Sequence, residues 1–277
     1  MNPLPLVGQR VPRVNDAAPL HGTGRYVDDI ELPHMLHAAI IRSPVAHGHL
    51  TGFASAPPPG VTVLGPDELA AHIHGQLPVL WTLGDQRQHE TPVVDEHLRY
   101  VGQPIGVVVA QSRYLAEDAA EMVELTIEDL EPVVEMAHAL EPDAPALYPD
   151  LGGNLLATFD AGDTAEHTEA VFAAADRVIA TTLRIGRVHG LSIEARGIVA
   201  VPEPGGRLHI HTSTQTAHAV RDAVCEVLGF AQSDVRVITP DVGGGFGLKD
   251  HLYEDELMVA IPALDLGQPV KWIEDRF

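Results

Sequence analysis

The residues with the clearest chemical potential are four glycines that surround one phenylalanine in the glycine-rich loop, residues 241–249 (Asp-Val-Gly-Gly-Gly-Phe-Gly-Leu-Lys). Glycine permits positive φ and close approach of other atoms to the backbone, at roughly 0.5–1 kcal/mol of conformational cost. The β-branched residues 235–239 precede the loop and predict a strand. Because α/β folds place ligand sites at strand ends, the pattern predicts a turn built around a ligand. The alternative is a tight loop with Phe246 packed in the core.

Two common phosphate-binding loops do not fit these residues. The G-x-x-x-x-G-K-[ST] pattern, started at Gly243, needs glycine where Leu248 stands, and Asp250 fails its Ser/Thr position. The dinucleotide pattern G-x-G-x-x-G fails at Leu248 as well. A nucleotide-dependent dehydrogenase is therefore kept only as a third hypothesis, which failure to retain NAD(P) would remove.

Several segments resemble one known family in the same order as the glycine-rich loop. They are residues 24–30 (Gly-Arg-Tyr-Val-Asp-Asp-Ile), 42–44 (Arg-Ser-Pro), 99–104 (Arg-Tyr-Val-Gly-Gln-Pro), 213–215 (Ser-Thr-Gln) and 269–272 (Pro-Val-Lys-Trp). With them, nearly the whole chain resembles the molybdenum-binding large subunit of the xanthine dehydrogenase, aldehyde oxidase and carbon monoxide dehydrogenase family. The resemblance covers only the N-terminal part of that subunit.

The resemblance implies an α+β fold in two parts. Residues 23–140 are expected to form an α/β hammerhead domain, and residues 150–277 the first, incomplete part of a molybdopterin-binding α+β domain. Residues 1–22 are rich in proline and lack periodicity, which predicts an extended N-terminal arm. The weakly periodic residues 141–153 mark the expected boundary.

The family's cofactor-binding residues can be carried over one by one. The glutamine that approaches an oxo ligand of molybdenum matches Gln215, and an amide can donate a hydrogen bond there without adding charge. The family's Gly-Gly-Phe-Gly matches Gly244, Gly245, Phe246 and Gly247, whose backbone amides are expected to approach the cofactor. The resemblance also places the Phe246 ring beside the metal pocket, where it would contact substrate.

Two departures from the family pattern, at Asp250 and at residues 193–196, affect this expectation. Purine-oxidising members have a glutamate where Asp250 stands, so Asp250 is a candidate substrate contact whose shorter side chain argues against purines. Lys249 is either a point charge for the cofactor or a solvated lysine. Residues 193–196 (Ile-Glu-Ala-Arg) replace the usual Met-Glu-Pro-Arg and are interpreted as structural.

No residue matches the glutamate that serves the family as catalytic base, and no directly ligating metal residue is predicted. The resemblance therefore implies that the chain supplies half of an active site and is inactive without a complementary C-terminal chain. Whether it is a natural split subunit or a truncation is left open. The expected cofactor is molybdopterin, in its simple form or as the cytosine dinucleotide, and the 2Fe-2S and FAD groups are expected on partner subunits.

The charge and the cysteine content of the chain agree with the expectation that the iron–sulfur cluster lies on another subunit. Lys and Arg number 17 against 39 Asp and Glu, a formal net charge of −22, which makes nucleic acid and anionic membranes poor partners. Cys225 is the single cysteine, so the chain cannot ligate an iron–sulfur cluster. Cys225 is expected to be a small buried side chain in a helix. With no apolar run of roughly 18 residues and no signal peptide, a cytoplasmic protein is expected.

The 16 histidines are dispersed and form no zinc motif. Their closest spacings are i,i+2, at His47 and His49, His72 and His74, and His209 and His211. On a strand this spacing places two imidazoles on one face, so weak metal binding and ordinary packing are both open, with packing the better interpretation.

Hydrophobic periodicity predicts the elements that position these residues. Strands are predicted at residues 36–42, 60–64, 105–110, 125–127, 178–183, 198–201, 208–212, 235–239 and 267–273. Helices are predicted at residues 113–123, capped by Ser112, at 165–175 with a capping box from Asp163, at 216–228 with Gly229 at its end, and at 253–264. Residues 105–127 are interpreted as a βαβ-like unit, and Pro262 is expected to end or kink the last helix.

Besides the nucleotide-dependent dehydrogenase, two functions remain open at this point. The first is a molybdenum hydroxylase part that oxidises an aldehyde, an N-heteroaromatic compound or a related small substrate with oxygen from water and passes electrons to iron–sulfur and flavin subunits. The alternative is a non-catalytic assembly module of such a complex. Only the first requires Gln215 and the glycine-rich loop.

Overall fold

Strands in two sheets form the framework of the protein. The computed structural model describes residues 6–78, 84 and 91–276. In chain order the strands are β1 Leu36–Arg42, β2 Gly48–Ala54, β3 Thr62–Leu64, β4 His97–Leu98, β5 Pro104–Ala110, β6 Glu124–Asp129, β7 Gly197–Glu203, β8 Arg207–Thr212, β9 Val235–Ile238 and β10 Val270–Ile273. Seven of them form one sheet in the order β3-β5-β1-β10-β7-β8-β9, and β4-β2-β6 form the other. Strands from both halves of the chain therefore share one sheet.

Six α-helices accompany the strands in the described part of the chain. They are α1 Ala17–Leu20, α2 Pro66–Ala70, α3 Arg113–Glu121, α4 Ala165–Ala174, α5 Ala217–Leu228 and α6 Glu254–Leu266. Short 3-10 helices lie at Val14–Asp16, Val27–Asp29, His138–Leu140 and Pro149–Leu151. The mixture confirms the predicted α+β class. Helix α1 and the 3-10 helix before it lie within the segment predicted as an extended arm.

Strand β5 is buried along its whole length and separates two hydrophobic clusters. Val107 and Val109 pack in the cluster that includes α5 and α6, whereas Val108 and Ala110 pack in the cluster that includes α3 and the small sheet. A strand covered on both faces has no polar alternation, which explains the continuous apolar sequence. The large sheet thus packs against α5 and α6 on one side of β5 and against α3 and the small sheet on the other.

Strands β8 and β9 run parallel and pair from Leu208 with Val235 to His211 with Ile238. Their carboxyl ends therefore meet at one edge of the sheet. Strand β7 is antiparallel to β8, so its amino end, which follows residues 190–196, reaches the same edge. Three chain segments that are distant in sequence converge there.

Most predicted elements are confirmed, but residues 178–183 are not a strand. They form no ladder with any described residue, although β-branched residues dominate their sequence as in a strand. The βαβ interpretation of residues 105–127 is also wrong, because β5 lies in the large sheet and β6 in the small one. Strands β2 and β4 were not predicted; both are interrupted by glycine, histidine or charge.

Details of three helices differ from the predictions. In α3, Ser112 accepts a hydrogen bond from the Leu115 N–H as predicted. The sequence predicts an apolar face of Leu115, Ala119, Met122 and Val123, whereas the buried residues of the helix are Ala116 and Ala119. Thr164, rather than Asp163, caps α4 by accepting from the His167 N–H. Pro262 lies inside α6, which continues to Leu266.

Two further predictions concern burial and helix ends. Cys225 is buried in α5, as expected. Gly229 ends that helix in the left-handed conformation with φ of 74°.

Within the described residues, no helix combines the length and the apolar character needed to cross a bilayer.

Candidate functional site

The structure brings Gln215 and the glycine-rich loop together at the shared edge of β8 and β9. The backbone N–H of Gln215 donates to the Lys249 carbonyl at 2.8 Å. The Gly247 N–H donates to Gln215 Oε1 at 3.1 Å. Thr214 Oγ1 donates to the same Lys249 carbonyl at 3.0 Å. The Gly247 bond holds the glutamine side chain against the loop, and the other two bonds hold the Gln215 backbone and Thr214 at Lys249.

Two of the glycines permit close approach by other parts of the chain. A Cβ atom at Gly243 would lie 2.4 Å from Glu194 Cβ, and one at Gly245 would lie 2.1 Å from Gln215 Oε1. Real Cβ atoms do not tolerate such distances. The sequence correctly predicts a close approach at this loop, but at these two positions the approaching atoms belong to the chain itself.

Phe246 is exposed at the tip of the loop, so the alternative of a core phenylalanine is wrong. Its side chain is 73% exposed. Its backbone has φ of 53°, a left-handed conformation that costs a non-glycine residue about 1–2 kcal/mol. Gly190 lies directly beside it, where a Cβ would meet Phe246 Cβ at 3.0 Å. Neighbouring backbone, rather than core packing, sets the position of the ring.

Lys249 is neither solvated nor directed at a ligand, so both predictions for it are wrong. Its side chain is fully buried, and Nζ donates to the carbonyl and to Oε2 of Glu194, each at 3.0 Å. Glu194 Oε2 also accepts from the Gly243 N–H at 2.7 Å. The pair ties both ends of the glycine-rich loop to the segment before β7. This confirms the structural interpretation of Glu194.

Four hydrogen-bond donors at the site have no acceptor among the described residues. They are the backbone amides of Gly244, Gly245 and Phe246 and the Nε2 amide of Gln215. Gln215 Oε1 accepts from Gly247, an arrangement that assigns the oxygen and leaves the NH₂ group facing outward. Consecutive free backbone amides make a concavity suited to anions. The site can therefore bind a negatively charged or oxo-bearing group without a basic side chain.

Asp250, the predicted substrate contact, follows the loop directly. Its backbone carbonyl accepts from Thr216 Oγ1, which anchors it to the start of α5. Asp250 Oδ2 lies 4.0 Å from where a Cβ of Gly247 would be. The carboxylate is thus close to the loop but on the Gly247 side of Phe246.

A buried network of charged side chains contacts the glycine-rich loop through Tyr253. Arg196 forms two 2.8 Å bonds to the two carboxylate oxygens of Asp255 and also bonds Glu274. Arg42 adds a further 2.8 Å bond to Asp255. Burial alone would raise the pKa of Asp255, but the two arginines hold that pKa below its ordinary value. Burial opposes the charge of Arg196, yet the Asp255 carboxylate holds its pKa above the ordinary value.

Tyr253 joins this network to the glycine-rich loop. Its ring stacks beneath the Arg196 guanidinium at 4.1 Å, and its hydroxyl donates to the Leu248 carbonyl at 2.8 Å. Burial raises the pKa of Tyr253 to about 12, so the hydroxyl stays a donor at neutral pH. Sequence reasoning missed this link because residues 196, 253 and 255 show no joint local pattern.

Glu256 is a fully buried acid in the same helix turn. Burial raises its pKa to about 7. Oε1 accepts from Thr212 Oγ1 at 3.0 Å, and Oε2 accepts from the Tyr253 N–H at 3.2 Å. Glu256 therefore connects the end of β8, just before Gln215, to the beginning of α6.

The histidine pair His47 and His49 does not form the site that its spacing could allow. His47 is buried and its Nδ1 contacts the Glu131 carbonyl, so it does not join His49. His49 instead faces His97 across β2 and β4 and pairs with Glu96 at 3.5 Å. Possible ligand atoms in that group, and in the group His138, Glu141 and Asp143, lie within 4.8 Å of one another. Neither group includes a residue of the glycine-rich loop.

Comparison with protein-family models gives two matches that together cover most of the chain. The model described as aldehyde oxidase and xanthine dehydrogenase, a/b hammerhead domain, matches residues 21–131. The model described as molybdopterin cofactor-binding domain matches residues 147–277. The latter match contains Gln215 and the whole glycine-rich loop.

Comparison with known proteins gives matches along nearly the whole chain. The carbon monoxide dehydrogenase large chain of Hydrogenophaga pseudoflava is 37% identical over 99% of this chain and 36% of its own length. The nicotine 6-hydroxylase large subunit of Paenarthrobacter nicotinovorans is 36% identical over 98% of this chain and 34% of its own. The chain thus spans about a third of the length of these relatives.

A solved structure shows the same fold. Quinoline 2-oxidoreductase from Pseudomonas putida 86 superposes with a TM-score of 0.88 and 36% identity, over 97% of this chain and 34% of the other. The prediction that only part of a large subunit is present is confirmed by these shares. The chain belongs to the xanthine dehydrogenase, aldehyde oxidase and carbon monoxide dehydrogenase family and corresponds to part of its molybdenum-binding large subunit.

Proposed function

We propose that this chain supplies the cofactor-facing part of a molybdenum hydroxylase active site. Gln215, Gly244, Gly245, Phe246 and Gly247 would hold the molybdopterin cofactor. The observation that supports this most is the set of four donors with no acceptor among the described residues. A metal-bound oxo group and an anionic pterin are acceptors that suit such donors.

The charge of the protein makes local donors necessary. A net charge of −22 repels an anionic cofactor at long range, and Lys249, the one cation of the loop, is neutralised by Glu194. Backbone amides can still bind an anion at short range because they are fixed dipoles. The cofactor, when bound, would supply the transfer of oxygen from water to substrate and the uptake of two electrons. The chain would orient it through Gln215 and the loop.

Phe246 and Asp250 are the proposed substrate contacts. The Phe246 ring is held outward by a constrained backbone, so it can form one wall of a pocket. Asp250 is an acceptor on the same loop. The relatives are named for carbon monoxide, nicotine and quinoline, and on that basis an aldehyde, an N-heteroaromatic compound or a related small molecule is the proposed substrate.

The proposed assembly has four parts: this chain, a complementary chain, an iron–sulfur subunit and an FAD subunit. This chain consists of two regions, residues 23–140 and 150–277, and the complementary chain would bring the catalytic base and the other pterin-binding loops. Electrons would pass to 2Fe-2S and FAD groups on partner subunits. The cofactor would be molybdopterin or its cytosine dinucleotide, and the complex would be cytoplasmic.

The direct experiment compares the chain alone with the reconstituted pair. The complementary chain is defined as the polypeptide of the same genome that matches the remaining two thirds of the relatives' large subunits. Molybdenum content and dye-linked oxidation of aldehydes and N-heteroaromatics would be measured for both samples. The proposal expects activity only in the pair. Full turnover by the isolated chain would contradict it.

A non-catalytic assembly module is the second candidate, because large apolar side chains are exposed within residues 158–189. Gln215→Ala in the assembled complex separates the two functions. Lost turnover with intact assembly supports the enzyme. Unchanged turnover supports the module, because such a module has no use for the outward-facing amide.

A further inference from the structure

Within the described part of the chain, the segment between α4 and β7 exposes a run of large apolar side chains. Every residue from 158 to 189 is exposed, and residues 177–192 form no helix, turn or strand. Large apolar side chains that are more than half exposed follow one another along it, at Val178, Ile179, Leu183, Ile185 and Val188. Burying one such side chain is worth about 1.5–3 kcal/mol, so leaving five in water is a large unfavourable exposure.

The sequence of this segment is that of a β-strand. β-branched residues dominate residues 178–185 (Val-Ile-Ala-Thr-Thr-Leu-Arg-Ile), and residues 179, 181, 183 and 185 would share one face. No described residue forms a ladder with them. The backbone groups of an unpaired strand invite pairing with another chain. The missing component is therefore a strand partner rather than a helix or a small ligand.

The charge of the segment indicates what kind of strand would pair with it. Arg177, Arg184 and Arg187 lie within residues 177–193, which contain no Asp or Glu, although the chain as a whole carries −22. None of the three takes part in an ion pair with a described residue. Opposite charges on facing strands stabilise pairing, and like charges oppose it. The partner strand should be apolar and acidic, which disfavours a second copy of this segment.

The segment leads directly into the candidate site. Gly190 contacts Phe246, and Glu194 binds both Gly243 and Lys249. A strand laid along residues 178–188 would therefore end beside the glycine-rich loop. Its position would be coupled to that of Phe246 through only a few residues.

We propose that residues 178–188 form a β-strand that completes a sheet of the complementary molybdenum-subunit chain, by pairing with an edge strand that carries apolar and acidic side chains. This inference rests on the proposed function, which supplies that chain. This partner is favoured because the relatives contain about twice as much additional sequence as this chain provides, and the structure of quinoline 2-oxidoreductase superposes over 97% of this chain but only 34% of its own. Strand pairing would bury the apolar face and place the chain junction next to the site.

Hydrogen–deuterium exchange measures the pairing itself. In the chain alone, amides of residues 178–188 should exchange at the rate of unstructured peptide. On addition of the complementary chain they should slow by about 100-fold or more, as expected for a paired strand. Leu183→Pro removes one ladder N–H and should abolish this protection. The double change Arg184→Glu and Arg187→Glu should weaken association about tenfold or more, whereas Arg10→Glu with Arg207→Glu, an equal charge change at other exposed arginines, should not.

Each other outcome overturns the inference. Slow exchange in the isolated chain at low concentration would show a partner within the chain, and slow exchange that appears only at high concentration would show a second copy. Association without protection, or with protection unaffected by Leu183→Pro, would place the contact elsewhere. Because molybdenum content is measured on the same complex, a loaded complex with unprotected residues 178–188 refutes only the strand. Failure to associate at all refutes the proposed function as well.

Discussion

The ion pair between Lys249 and Glu194 gives a sharp test of how the glycine-rich loop is held. The lysine side chain is 1% exposed and that of Glu194 is 14% exposed. Lys249→Met should leave the Glu194 carboxylate with the Gly243 N–H as its remaining donor. Removing one partner of a buried pair typically costs about 3–5 kcal/mol, because the other charge stays buried and uncompensated. Slight exposure of Glu194 places the expected loss of unfolding free energy near the lower end of that range.

The measurement is urea denaturation of the isolated chain followed by circular dichroism. Lys249→Met combined with Glu194→Gln should recover part of the loss, because the glutamine oxygen can still accept from Gly243 and no charge remains buried. Arg221→Met is the control, since its ion pair with Asp222 is exposed and should be worth about 1 kcal/mol or less. If Lys249→Met costs no more than Arg221→Met, the loop is held by other contacts.

Three further predictions use the same chain. Gly245→Ala should displace the Gln215 side chain, because Gln215 Oε1 lies 2.1 Å from the position of the new Cβ. The lost hydrogen bond should lower the free energy of unfolding by about 1 kcal/mol. Gly186→Ala, where the new Cβ has no atom within 4 Å, should cost almost nothing, and equal effects of the two changes would refute the close contact. Phe246→Ala should cost less than about 1 kcal/mol on urea unfolding because the ring is exposed, and a loss of about 3–5 kcal/mol would show a core residue. The pKa of Glu256 is about 7 in the folded protein and 4.5 in its ordinary state, so folding is favoured while the acid is protonated. This contribution to the free energy of unfolding, on the order of 3 kcal/mol, is complete below pH 4.5 and is lost as the pH rises through 7. Glu256→Gln should remove that loss in denaturation curves compared at pH 5 and pH 8, and parallel pH dependence of both proteins would contradict the assignment.

Hydrophobic periodicity predicts elements whose continuous apolar faces pack on the chain's own core. The run at β5 and the helix stripe of α5 confirm this, because their apolar faces pack in the described core. Residues 178–183 have an equally good strand pattern and yet form no strand. A pattern reports the capacity to pair, whereas a ladder also requires a neighbouring strand.

The site was predictable where its sequence is local and unpredictable where its contacts are long-range. The glycine-rich loop and Gln215 each lie in a short run of neighbouring residues that resembles the family, and a hydrogen bond joins them in the structure. Lys249 was misjudged because its partner Glu194 is 55 residues away. The Arg196 and Asp255 pair was missed for the same reason, since neither residue differs locally from a surface charge.

The central claim is that Gln215 and the loop amides hold the cofactor, and turnover together with molybdenum content of the reconstituted complex tests it most directly. Gln215→Ala would be compared with wild type and with Gln111→Ala, a change at an exposed glutamine outside the site. Removing one preorganised donor should lower kcat by about 100-fold, with assembly intact and molybdenum either retained or reduced. If Gln215→Ala matches Gln111→Ala in both turnover and molybdenum content, the glycine-rich loop is not the cofactor site.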